Sequence, residues 1–183
     1  MLNRTEVASD AQVARTTVIE YFEILKDTLI GYELPAWNRS RKRKAIETAK
    51  SYLFDVGVAR ALRKLPPLVQ RSTDVGDALQ HFPFHELRTY IGTRCPGGEL
   101  HYWRRTSQFE VDFILGDQTA IEVKATRSVS QRDPRGLSAL AEEKMMKHLI
   151  LVCQEATPRK IGAILILPWQ EFLERLWADT FVG

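Results

Sequence analysis

Phe109-Glu-Val-Asp-Phe-Ile-Leu115 and Ala120-Ile-Glu-Val-Lys-Ala-Thr126 each alternate polar and apolar residues. That period is the one a half-buried β-strand requires. Only Gly116-Asp117-Gln118 and one more residue lie between them, a turn-like spacer, so the two strands are expected to pair as an antiparallel hairpin. The constraint is severe, because a slip of one residue in register sends every side chain to the opposite face. Within the second strand Glu122 and Lys124 are two apart and point to one face. Asp112 on the first strand shares that face if the register allows. Two carboxylates and an ammonium then converge, the set from which a divalent-metal phosphodiesterase is built: the acids hold Mg²⁺ and the lysine stabilises charge or orients the attacking water.

Antiparallel strands also carry Glu and Lys on a wet face simply as weak cross-strand pairs. Two details count against that here. Ile121, Val123 and Ala125 flank the charges of the second strand, and Asp112 sits inside the otherwise hydrophobic run Val111–Leu115. Charges in such positions usually have a partner, a metal or a function.

A chain of 183 residues, 44% hydrophobic and 27% charged, is that of a globular protein with one ordinary domain or two small ones. No apolar run approaches the roughly 18 residues that cross a bilayer, and the N-terminus has no signal-peptide pattern. No membrane association is therefore expected. Cys95 and Cys153 are far apart and without metal-ligand spacing, which reads as reduced thiols in a cytoplasmic protein. The net charge of +3 is unevenly placed: residues 1–75 carry 13 basic and 9 acidic side chains, residues 76–183 carry 13 and 14. A basic first part is compatible with nucleic-acid binding.

Along that first part, short helices are predicted over 5–9 and 15–25, around a turn at 10–13. This is the outline of a helix-turn-helix whose second helix offers Arg15, Thr16 and Thr17 to DNA. Ala14 stands where a Ser would normally cap that helix. A strand over 28–34 follows, then the basic run Arg41-Lys42-Arg43-Lys44, a strand near 49–54 and a helix over 58–62. Helices followed by a basic two-stranded hairpin make a winged helix, with the run a further candidate for DNA contact or a solvated loop. The stretch 66–76 separates a winged-helix-like domain, 1–65, from a second domain, 76–183. There the predicted order is a helix over 77–91, strands over 99–104, 108–115 and 119–125, a helix over 134–146, strands over 147–153 and 161–167, and a helix over 169–177. The last two strands are nearly continuous apolar runs, as in strands buried on both faces. The fold class is α/β, a mixed sheet with helices packed on it.

That order, with Asp112 on one strand and Glu122-Val-Lys124 on the next, resembles the restriction-endonuclease-like PD-(D/E)xK superfamily. Tyr21–Leu29, Leu53–Gly57, Tyr102–Thr106, Glu110–Leu115 and Leu167–Phe172 are similar to a narrower bacterial and archaeal family. In that family an AAA-type ATPase module precedes a winged helix and a nuclease-like domain of unknown function 4143. The resemblance implies Asp112 and Glu122 as ligands of Mg²⁺ or Mn²⁺ and Lys124 as the charge-stabilising residue. Two departures stand out. No Gly-x-x-x-x-Gly-Lys-(Ser/Thr) loop is present, so ATP hydrolysis does not carry over, and the surface where the ATPase module would dock is left for that module or for a second copy. The superfamily's Gly-x-x-x-Glu motif reads here as Gly76-Asp-Ala-Leu-Gln80, a neutral amide where a carboxylate is expected. Glu86 is the nearest substitute, but it lies six residues on and faces another side of an unbroken helix, unless Pro83 disturbs it.

Two functions therefore compete. One is a Mg²⁺-dependent nuclease-like DNA-processing domain. The other is a non-catalytic module that binds DNA or protein and keeps the nuclease fold with an impaired site. His81 and His85 have i, i+4 spacing without a third ligand in sight, and Trp103, Trp169 and Trp177 read as packing residues.

Overall fold

The first helix is set by its cap. In α1 (Arg4–Asp10) the Asn3 side chain accepts the Thr5 N–H at 3.0 Å. The second helix, α2 (Arg15–Asp27), starts at Ala14 and has no side-chain cap, as its sequence requires. β1 (Gly31–Leu34) and β2 (Lys50–Leu53) pair antiparallel, with Gly31 opposite Leu53. α3 (Val56–Leu62) begins where Asp55 accepts the Val58 N–H at 2.8 Å. The computed structural model describes residues 3–39, 48–65, 74–105 and 109–182, with the backbone alone for 74–80.

α4 (Asp74–Arg94) runs unbroken through Pro83, where an interruption was conceivable. Proline inside a helix costs about 3 kcal/mol. Phe84, Leu87 and Tyr90, all buried, offset it, at roughly 1.5–3 kcal/mol for each large side chain. A six-stranded mixed sheet follows. β3 (Leu100–Arg104), β4 (Glu110–Leu115) and β5 (Thr119–Val123) form an antiparallel meander. α5 (Arg135–Ala141) then crosses over to β6 (His148–Cys153), which lies parallel to β5. β8 (Ile164–Pro168) is parallel to β6, and β7 (Arg159–Ile161) closes the far edge antiparallel to β8. The strand order is β3-β4-β5-β6-β8-β7, and α6 (Trp169–Trp177) ends the fold.

Besides shifted ends, such as β1 starting at Gly31 and α4 spanning Asp74–Arg94, two details differ from the sequence expectation. The run 161–167 is a hairpin rather than one strand: Gly162 adopts φ +57° and turns β7 into β8. The turn was hidden because apolar residues surround that single glycine. α5 stops at Ala141 instead of reaching residue 146, and three residues later Lys144 has a left-handed φ of 55°.

The sheet is covered on both faces. On one, Phe113, Ile121, Val123, Ile150 and Val152 pack with α4 and α6. On the other, Val111, Ala120, Leu149 and Leu151 pack with Leu137 and Leu140 of α5 and with Trp37. The first core also contains Leu34 and Tyr52 from the β1–β2 hairpin, and the Tyr52 ring stacks on Phe84 at 4.0 Å and 10°. After β1 the chain runs along the outer edge of β3: Tyr102 donates to the Pro35 carbonyl at 3.0 Å and accepts from Trp37 at 2.7 Å. An edge that would offer unpaired backbone groups is thereby covered. The N-terminal hairpin is built into the half that holds the six-stranded sheet, through both core and backbone.

Candidate functional site

The β4–β5 hairpin turns on Gly116, whose φ of +57° favours glycine. Its register pairs Leu115 with Thr119, Ile114 with Ala120 and Phe113 with Ile121. One step further, Asp112 stands opposite Glu122, and there the ladder gives way to side chains. Asp112 Oδ2 accepts the Val123 backbone N–H at 2.9 Å. A bulge on the other flank of β4 contributes to this. Between the pairs His101–Ile114 and Trp103–Val111, two residues of β4, Asp112 and Phe113, face the single residue Tyr102 of β3. Val111 and Phe113 accordingly join opposite cores although they are two apart. Bulges re-aim side chains, and this one turns a carboxylate into the gap where the strands part.

Glu122 and Lys124 sit at the same open end. Lys124 Nζ lies 3.0 Å from Glu122 Oε1, the lysine side chain 42% exposed and the glutamate 6%. Oε2 of Glu122 is buried and receives no hydrogen bond of ordinary geometry. Burial pushes the Glu122 carboxyl up to about 7, with the Asp112 charge adding to the rise. Lys124 opposes it by charge and hydrogen bond, and the Leu137 N–H pulls weakly the same way. For Lys124 burial favours the neutral amine, but the Glu122 carboxylate and then Asp112 outweigh it, so its pKa is raised. α5 presses directly on this spot. A Cβ on Gly136 would overlap the Glu110 carbonyl oxygen and come within 3.2 Å of Glu122 Oε2.

Asp112 has a second partner, one that arrives from the N-terminal hairpin. Lys50 Nζ on β2 lies 3.4 Å from Asp112 Oδ1 and 2.5 Å from Glu110 Oε1, and 5.2 Å from the centre of the Tyr102 ring. Arg104 reaches Glu110 at 3.7 Å. The Tyr52 phenol is raised by burial, then by the charges of Asp112 and Glu110. Lys50, Glu110 and Gly136 were not singled out from sequence. Glu110 was the most accessible of the three, being two residues from Asp112 in the same alternating segment. Nothing local marks Lys50 or Gly136.

The other candidates fall elsewhere. Glu86 accepts from Trp177 Nε1 at 3.2 Å, between α4 and α6, and neither Lys50 nor Lys124 reaches it. Its helix is unbroken, so nothing turns it towards the hairpin. The side chain of Gln80 and the run Arg41, Lys42, Arg43 and Lys44 lie outside the described residues. Arg15 and Thr16 are exposed on the first turn of α2, and Thr17 is half-buried. His81 meets the Tyr52 ring edge-on at 5.1 Å. His85 is lowered by burial, then by the charges of His81 and Arg88. Among the described residues no three His, Cys, Asp or Glu side chains gather to hold a metal. Arg105 pairs with the buried Glu143 at 3.4 Å, Trp103 belongs to the core under α5, and Trp169 and Trp177 pack against the other core, on the α4 and α6 face. Cys95 and Cys153 are free thiols, and no helix of the described residues is long and apolar enough to cross a membrane.

Residues 1–69 match the model of a domain of unknown function, DUF8612. An uncharacterized protein of Mycobacterium tuberculosis, Rv2008c, is 24% identical over 135 residues, which cover 71% of this chain and 30% of the relative. The Mycobacterium bovis protein Mb2031c, also uncharacterized, matches to the same extent. The chain thus spans about a third of the length of the curated relatives it matches. No solved structure matches it. Residues 75–172, more than half of the sequence, match the model of the domain of unknown function DUF4143, and the chain belongs to that family.

Proposed function

We propose that the chain is a divalent-metal-dependent, nuclease-like DNA-processing domain, with Asp112 and Glu122 as metal ligands and Lys124 as the cation that meets the scissile phosphate. The observation that carries this reading is Glu122: a carboxylate 96% buried, held by one lysine and pulled only weakly by the Leu137 N–H, with Oε2 receiving no hydrogen bond of ordinary geometry among the described residues. A fold keeps such a group only against the cost of burying charge. That oxygen, beside a second carboxylate, suits Mg²⁺ or Mn²⁺, hard cations that take oxygen ligands and retain several waters. Bound there, the ion would polarise the phosphodiester and favour ionisation of a water. Lys124 has a raised pKa and stays an ammonium at neutral pH, so it serves as a charge donor and not as a base. Half exposed, it can reach a phosphate oxygen from the solvent side while still orienting Glu122. Arg15 and Thr16, with the basic run beyond residue 40, are the proposed DNA contacts of the N-terminal part.

A plasmid-nicking assay with and without Mg²⁺ or Mn²⁺ tests the reading. Metal-dependent nicking is expected, weak because Gln80 supplies no charge. It should be lost in Glu122→Ala and Lys124→Ala with circular dichroism unchanged, and increased in Gln80→Glu. Absence of nicking in both the native chain and Gln80→Glu sinks it. The second reading, a binding module with a disabled site, is favoured by one observation: both oxygens of Asp112 are already engaged, by Lys50 and by the Val123 N–H. Its partner would be DNA, an ATPase module or a second copy, and the exposed Tyr21, Ile24 and Leu29 around α2 offer apolar surface for a protein partner.

A further inference from the structure

We infer that Lys50 is a built-in counter-cation of the proposed metal site, so that a divalent ion binds at Asp112 by displacing an ammonium that belongs to the β1–β2 hairpin. The inference rests on the reading of Asp112 as a metal ligand.

Lys50 is an unusual lysine. Its side chain is only 13% exposed, on a four-residue strand whose neighbour Tyr52 is stacked into the core. Lysine is rarely buried to that degree unless paired. Its pairs are Glu110 at 2.5 Å and Asp112 at 3.4 Å, two acids of β4 of which the second lies on the bulge, and its charge lies over the Tyr102 ring. The strand that carries it is anchored on both sides. Tyr102 Oη donates to the Thr48 carbonyl two residues before Lys50, and Tyr52 lies against Phe84 two residues after it. The hairpin therefore delivers a positive charge to Asp112 at a defined height, in a spot only partly open to water.

The consequence is electrostatic. A cation close to a carboxylate lowers the affinity of that carboxylate for any other cation, both by repelling the newcomer and by occupying an oxygen. Asp112 Oδ2 accepts the Val123 N–H and Oδ1 is the oxygen that Lys50 approaches, so a metal ligated through Oδ1 meets the ammonium there. Occupancy by metal and contact with Lys50 are then alternatives. Glu110 keeps the displaced ammonium near, since it holds Lys50 at the shorter distance. Ligation at Asp112 and the seating of the N-terminal hairpin are thereby linked through one side chain.

The test is Mn²⁺ binding to the full chain by calorimetry at low ionic strength, for the native protein, Lys50→Met and Lys50→Arg. Methionine keeps an unbranched stem over Tyr102 and removes the charge; arginine keeps the charge. Lys50→Met should bind Mn²⁺ about tenfold more tightly than the native chain, the size of one like-charge contact relieved in a partly wet site, and Lys50→Arg should not. The gain should vanish when Asp112→Asn is added to Lys50→Met. If Lys50→Met folds poorly without metal, its rise in Tm on adding Mn²⁺ is the readout, and that rise should exceed the native one. Equal or weaker Mn²⁺ binding by Lys50→Met, an equal gain in Lys50→Arg, or a gain that survives Asp112→Asn each overturns the inference. Plasmid nicking is scored separately: metal binding that follows this pattern without nicking defeats the nuclease reading and leaves the role of Lys50 standing.

Discussion

Glu122 and Glu155 lie just where neighbouring parallel strands end, each glutamate paired with a cation close in sequence, and the fold treats them in opposite ways. Glu155 receives Arg159 Nε and Nη2 at 2.8 Å each and the Val129 N–H at 2.6 Å, while Arg159 also donates to the Val129 carbonyl. Both oxygens of Glu155 are used in that clasp. The Arg159 hydrogen bonds, then the one from Val129, pull the carboxyl down to about 2. Glu122 is deeper, has one lysine, and keeps one oxygen without a hydrogen bond of ordinary geometry among the described residues; burial pushes it up to about 7. The comparison teaches that a salt bridge alone says little about purpose. A carboxylate satisfied on all sides is a fastener between a loop and a strand end. One that is buried, half-satisfied and coupled to a second acid is where the fold tolerates a cost, and such sites are candidates for function.

The largest expected effect comes from the feature that Glu155 has no counterpart for. α5 reaches Glu122 only because residue 136 is glycine. Gly136→Ala forces the helix off the Glu110 carbonyl and should cost about 3 kcal/mol by chemical denaturation. A change below about 0.5 kcal/mol would mean the helix does not press on the site, and the contrast would rest on burial by the sheet alone.

Neutralising the two acids should move stability in opposite directions. At pH 8 Glu122→Gln removes a penalised charge and should stabilise the protein by up to about 3 kcal/mol, the opposing pull of Lys124 being already counted in that figure. Glu155→Gln breaks a bidentate clasp and should destabilise it by roughly 1–2 kcal/mol, solvent screening keeping the loss modest. Equal signs in urea denaturation would collapse the distinction between fastener and site.

The smallest and most diagnostic effect is the pH profile. Between about 4.5 and 7 the folded protein holds a proton on Glu122 that the unfolded chain has released, so stability contributed through this group falls as pH rises. For Glu155 the window lies lower. Its contribution is complete above about 4.5 and is lost as pH falls towards 2, because the unfolded chain takes up a proton that the clasp refuses. Denaturation midpoints at several pH values should therefore lose the upper slope in Glu122→Gln and soften the lower one in Glu155→Gln. An unchanged upper slope in Glu122→Gln would place its origin in another group.

Much of the fold was legible locally. The alternation on either side of Gly116 specified the β4–β5 hairpin, and period 2 alone set Glu122 and Lys124 on one side, where they form their ion pair. The apolar run 148–153 became a buried parallel strand, and the final helix spans 169–177 as its amphipathic pattern requires. These features depend on steric preferences and burial within a few residues, which a sequence displays directly. The bulge at Asp112 and Phe113 did not follow from alternation, because it exists only in relation to Tyr102 on the neighbouring strand. The short strand β7 was missed because one glycine makes its turn inside an apolar run. The close approach at Gly136 and the ammonium that Lys50 brings to Asp112 are contacts between segments far apart in the chain, 62 residues in the second case. Sequence determined which strands and helices form and which charges lie among apolar neighbours. Tertiary packing alone decided which of those charges meet, since burial and distance set their energies and neither is a property of the local chain.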